Sequence, residues 1–148
     1  MSYLSDPRIV ATLDAGGTNL VFASIQGGEY IRGPYTLPAM AHDLDACLMQ
    51  IIKGFEMLFD DPSQRPIAIS FAFPGPADYP RGIIGGFLPN FPSFREGVAL
   101  GPLLEDHFGV PVFINNDGDL FAYGESLCGL LPEVNKLLDE AGSQKRFR

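Results

Sequence analysis

Residues 9 to 25 read IVATLDAGGTNLVFASI, and no other stretch restricts the fold as much. Two apolar runs, residues 9–13 and 20–25, flank the turn Asp14-Ala15-Gly16-Gly17-Thr18-Asn19. Runs this short and rich in β-branched residues, broken by glycines, form strands and not helices. A second glycine pair, Gly27-Gly28, then returns the chain into EYIRGPYTL. Three strands joined by short turns predict an antiparallel meander at the front of the domain.

Beyond residue 40 the period changes. Leu44, Leu48, Ile51, Ile52, Phe55 and Leu58 with Phe59 recur at helical spacing behind Asp43, a side chain suited to an N-cap, and Pro62 is expected to end that helix. PIAISFAFPG is a continuous apolar run closed by Pro74-Gly75-Pro76, which predicts a strand buried on both faces. ADYPRGIIGGFLPNFPSFREG, dense in Gly and Pro, predicts an ordered loop with a short β segment at Gly82–Gly85. VALGPLLEDHFG predicts a helix stopped by Gly109, VPVFINND another buried strand, and DLFAYGESLCGLL a further helix. The last residues are amphipathic, then polar. The order βββ-α-β-α-β-α implies an α/β domain with a mixed sheet and helices on both faces. No internal repeat or low-complexity linker divides it.

Length and composition narrow the functions. The 148 residues, 46% hydrophobic, suit one globular domain with a real core. The formal net charge is −8, and no Lys/Arg run appears before the last few residues, which argues against nucleic acid or an anionic membrane as the main partner. A phosphate ligand must then be held largely by backbone N–H groups and a metal ion. The two cysteines, Cys47 and Cys128, lie far apart inside predicted helices, a usage that fits reduced thiols in a cytoplasmic protein. Neither a secretory signal nor a membrane span is legible.

Three stretches carry polar residues where chemistry is expected. The glycines of Asp14–Asn19 serve either a turn that needs positive φ or a backbone that approaches a ligand closely, with successive N–H groups pointing into it. In the second case Thr18 and Asn19 add side-chain donors, and Asp14 at a strand end suits a hydrated Mg²⁺. INNDGDLFAYGE, residues 114–125, places four polar residues between an apolar strand and a helix. Either Asp117 or Asp119 caps that helix, or a carboxylate held at a strand end serves as general base toward an alcohol, with Asp117 the candidate. In FPGPADYPRGIIGGFLPNFPSF, Pro74 and Gly75 close a strand, and Asn90 sits among Leu88, Pro89, Phe91 and Pro92 as a polar group in an apolar wall. His42 and His107 discriminate little. No His/Cys pair has zinc-ligand spacing, and no GxSxG, GxxxxGK[ST] or GxGxxG motif occurs.

Taken together, these stretches resemble the ROK family of bacterial sugar kinases, related open-reading-frame proteins and transcriptional repressors. LDAGGTNLVFASI is similar to the family's first phosphate motif, FPGPAD with the later Gly, Ile and Asn90 to its sugar-loop segment, and NNDGDLFAYGE to its catalytic segment. The match runs from about residue 9 to residue 131. It implies a ribonuclease H-like (actin-like ATPase) lobe, residues 1–128, with 129–148 starting the connection to a C-terminal lobe. It also implies an ATP-dependent hexose kinase. Asp14 would act on the Mg²⁺ of MgATP through water, and Gly16, Gly17, Thr18 and Asn19 would meet the phosphates. Gly75, Asn90 and Asn116 would line the sugar, and Asp117 would take the proton of the attacking hydroxyl. The implied partners are a sugar and ATP, with a possible homodimer of the whole protein and no nucleic acid or membrane.

Two departures matter. Asp119 stands where the family commonly has Asn, adding a negative charge two residues from Asp117. The chain ends at GSQKRFR, before the family's second phosphate motif, further sugar ligands and Cys-rich zinc site, so the segment alone is expected to be inactive. The competing expectation is a ROK sugar-sensing regulator or other non-catalytic sugar-binding protein. Such regulators carry a helix-turn-helix before the phosphate motif, for which the eight residues preceding Ile9 are too few.

Overall fold

The structure, a computed structural model, describes residues 3–147, which divide between Asn115 and Asn116 into two compact units. In the first unit, β1 (Val10–Ala15), β2 (Asn19–Gln26) and β3 (Glu29–Pro38) form the expected meander. After helix α1 (Leu44–Phe59), strand β4 (Ala68–Ala72) returns to lie parallel to β1. A two-stranded ribbon, β5 (Ala77–Asp78) with β6 (Ile83–Ile84), and helix α2 (Leu100–Phe108) lead to β7 (Val112–Asn115), parallel to β4. The five-stranded order is β3-β2-β1-β4-β7. It is a mixed sheet: antiparallel through the meander, parallel where a helix makes the crossover.

One face of this sheet holds the core. Leu13, Phe22, Ile69 and Phe71 point into it and are almost wholly buried. The Phe55 ring of α1 lies 5.2 Å from that of Phe22, 5.8 Å from Phe71 and 6.0 Å from Phe108 of α2, so both helices meet on this face. Burying each such ring contributes roughly 1.5–3 kcal/mol. Gly54 lets α1 come this close, because a Cβ there would fall 2.2 Å from the Phe22 ring. Asp43 caps α1 as expected, its Oδ1 accepting the Ala46 N–H at 3.1 Å. The helix stops at Phe59, ahead of Pro62, with Asp60 at its C-cap paired to Arg32 of β3.

Two sequence expectations are corrected. β4 is buried on one face only: Ile69 and Phe71 are covered, whereas Ala68, Ser70 and Ala72 are half-exposed. In β7 Ile114 is buried and Phe113 is 59% exposed. An unbroken apolar run cannot by itself report which of its two faces another element covers. The β segment at 82–85 is present as β6, but its partner β5 lay in a stretch that carried no strand pattern.

The second unit comprises α3 (Asp117–Cys128) and α4 (Leu130–Glu140), broken at Gly129. The Cys128 side chain lies outside the described part. No described residue of α4 is buried. Among the described residues, no helix is long and apolar enough to cross a membrane.

Candidate functional site

Parallel pairing sets three strand ends abreast. Asp14 is level with Ala72, and Ala72 with Asn115, so the carboxyl ends of β1, β4 and β7 form one edge. Binding residues of open α/β sheets gather beyond such an edge. Because Leu13 points into the core, Asp14 points the other way, and it is exposed. Past β4, the Phe73 N–H donates to the Asn115 carbonyl at 3.0 Å, fastening two of these ends together.

The turn after β1 settles the question raised by its glycines. Neither Gly16 nor Gly17 has positive φ, so handedness does not demand them. Proximity does. The Gly16 N–H donates to the Asn19 carbonyl at 3.0 Å, and a Cβ on Gly16 would sit 2.9 Å from that same oxygen. A Cβ on Gly17 would meet Asn90 Cβ at 2.9 Å and Asn90 O at 3.0 Å. The two stretches carrying Gly17 and Asn90, seventy-odd residues apart in sequence, are thus packed backbone against side chain. Among the described residues, the Gly17 and Thr18 amides make no backbone hydrogen bond within the protein. Successive unspent N–H groups beside an exposed Asp14 are what a polyphosphate with its Mg²⁺ needs. No group of three or more His, Cys, Asp or Glu side chains fit to hold a metal alone occurs among the described residues.

Asn90 is exposed between buried Leu88 and Phe91, so its amide is presented outward by an apolar anchor on either side. Gly75 follows β4, where a Cβ would lie 2.9 Å from the Tyr79 hydroxyl. That hydroxyl donates to the Phe73 carbonyl at 2.9 Å. Tyr79 braces the strand end against which Gly75 turns; nothing in the sequence marked it, because the contact forms only when the ribbon folds back.

In the second unit, the cap of α3 is neither Asp117 nor Asp119. Asn116 fills it, its Oδ1 accepting the N–H groups of Gly118 at 2.9 Å and Asp119 at 3.3 Å. Asp117 is the first helical residue, exposed, with Oδ1 accepting the Gly118 N–H at 2.9 Å. Asp119 is exposed in the same turn. Both carboxylates sit at the helix end whose dipole favours negative charge. With capping assigned to Asn116, Asp117 keeps Oδ2 outside the helix-terminal bonds.

Cys47 is wholly buried in the core, and burial pushes its thiol up to about 11, leaving it protonated. His107 pairs with Glu56 across α1 and α2 at 3.0 Å.

The sequence profile of the ROK family matches residues 10–138. No curated protein matches the chain significantly. Among solved structures, a glucokinase from Parabacteroides distasonis is 65% identical and superposes with a TM-score of 0.86, covering 99% of this chain and 41% of its own. A ROK family transcriptional regulator, a homologue of the E. coli MLC protein, is 24% identical with a TM-score of 0.69, covering 84% of this chain and 31% of its own. A ROK family glucokinase from Streptomyces griseus, in complex with glucose and AMPPNP, is 20% identical with a TM-score of 0.68, covering 82% and 37%. The last two likenesses are of fold, the actin-like ATPase fold. This chain spans about two fifths of the length of the Parabacteroides glucokinase.

Proposed function

The chain belongs to the ROK family, and on that premise we propose that it is the N-terminal lobe of an ATP-dependent hexose kinase. The contact of Gly17 with Asn90 carries the reading. It joins a turn with unspent amides to a loop presenting an amide outward, the two kinds of recognition that a phosphate donor and a sugar acceptor need. In this reading residues 1–128 form the lobe and 129–148 begin the connection to a second one.

Gly16, Gly17, Thr18 and Asn19 bind the phosphates of MgATP, and Asp14 holds the metal through water. The bound Mg²⁺ supplies neutralisation of charge on the transferring group. Gly75, Asn90 and Asn116 line the hexose. As a sugar hydroxyl attacks the γ-phosphorus and the bond to ADP breaks, Asp117 accepts the hydroxyl proton on Oδ2. Positioning does most of the work in such a transfer. The family resemblance supports dimerisation of the whole protein, and the cysteine usage supports a cytoplasmic location.

The test is a coupled assay with MgATP and a hexose panel on the protein that carries this chain, as wild type and as Asp117→Asn. Transfer should fall by about 10²–10⁴-fold with sugar binding little changed. Undiminished turnover in Asp117→Asn would remove the base. Sugar binding without transfer in the wild type would favour the second reading, a sugar-sensing regulator on the same fold.

A further inference from the structure

We propose that Ser93 is a positioning residue: through the strap Ala39–Ala41 it locks the Asn90 loop to the Gly17–Thr18 turn and so fixes the spacing between the sugar and phosphate sites. The proposal rests on the sugar-kinase reading for its consequence, but its geometry stands apart from that reading.

Three segments close a ring. The Ala39 N–H donates to the Thr18 carbonyl at 2.9 Å, tying the strap to the turn. Two residues on, the Ala41 carbonyl accepts the Ser93 hydroxyl at 2.8 Å and the Ser93 N–H at 3.4 Å, tying the strap to the loop. Gly17 against Asn90 completes the circuit. Ala39 is fully buried and Ala41 only 4% exposed, so the strap is seated in the core at both anchor points. Between them Met40 is the one non-glycine among the described residues with positive φ, at 51°. A side chain in that region is strained and persists where surrounding contacts over-determine the backbone. Here those contacts are the two anchors, with the Met40 carbonyl itself accepting the Asp43 N–H at 3.0 Å.

The consequence is mechanical. Asn90 lies three residues before Ser93, between Leu88 and Phe91, whose side chains are buried. Apolar burial fixes how deeply the loop sits, but not its slide along the turn. The directional bond from the Ser93 hydroxyl restrains that slide. A displacement of about 1 Å is enough to spoil the alignment of a hydroxyl with a phosphoryl group.

The test uses the protein that carries this chain, as wild type, Ser93→Ala and Ser93→Thr, with glucose titrated and the Gly17 and Thr18 amide resonances followed by NMR. Ser93→Ala should weaken glucose binding about five- to tenfold, the weight of one hydrogen bond, and shift both resonances. Ser93→Thr, which keeps the hydroxyl, should restore both. Unchanged affinity with unshifted resonances in Ser93→Ala would overturn the proposal. A wild-type protein that binds no glucose would defeat the sugar-site reading instead, and the strap would then be judged by the resonances alone: shifted, it holds; unshifted, it fails. Should Ser93→Ala not fold, Gly17→Ala presses on the same seam from the opposite side. Wild-type glucose affinity in that variant would equally refute the strap.

Discussion

Gly54→Ala offers a stringent test of the core, because two effects of opposite sign meet at one atom. In an exposed mid-helix position this change stabilises by about 1 kcal/mol, since alanine restricts the unfolded chain and glycine does not. At Gly54 the new Cβ would lie 2.2, 2.3 and 2.5 Å from Cε2, Cζ and Cδ2 of Phe22. Ordinary contact needs about 3.5 Å, so ring and helix must separate by roughly 1 Å. The ring has nowhere to go. It is fully buried, edge-on to Phe55 at 5.2 Å, on a strand hydrogen-bonded on both sides. Overpacking of this kind costs about 3 kcal/mol, the upper end of its usual range. The net expectation is a loss of about 2 kcal/mol, which lowers the melting temperature by about 6–8 °C in a chain of this size. Urea and thermal unfolding followed by circular dichroism measure it. Gly124→Ala in α3 is the internal control: a Cβ there meets nothing within 4 Å, so propensity acts alone and the variant should gain about 0.5–1 kcal/mol. If Gly54→Ala matched or exceeded wild-type stability, the close approach of α1 to Phe22 would be wrong.

Two further outcomes are expected. The Ser24 hydroxyl is fully buried with no partner among the described residues; Ser24→Ala should therefore stabilise by about 1 kcal/mol, and a lower melting temperature would show that the hydroxyl is satisfied. The Arg32 guanidinium beside Asp60 holds its carboxyl below the usual aspartate range. A carboxyl lowered in the folded state contributes stability above its unfolded value and loses it as pH falls through the folded one, so wild type should weaken below about pH 4, and Asp60→Asn should flatten that part of the urea-midpoint profile; an identical slope in both would discount the pair.

Much of this protein follows from local rules. Period-2 and period-3.6 patterns placed the meander and α1, Asp43 and Gly109 marked helix ends through capping chemistry, and Gly27-Gly28 gave a hairpin at positive φ. Asp14, Asn90 and Asp117 stood out because each is a polar residue set at the end or in the middle of an apolar stretch. Asn116 escaped notice as the α3 cap since several neighbours have capping side chains, and backbone angles alone select among them.

What the sequence determined by itself was the set of elements and the chemical kinds at their ends, for those depend on residues within a turn or two of each other. The tertiary structure alone decided which ends lie abreast, why Gly17 must lack a side chain, and that Ala39–Ala41 links Thr18 to Ser93. Such contacts join residues tens of positions apart, and they exist only after sheet order and register bring the backbones within a few ångströms, where a single missing Cβ or one hydroxyl sets the spacing.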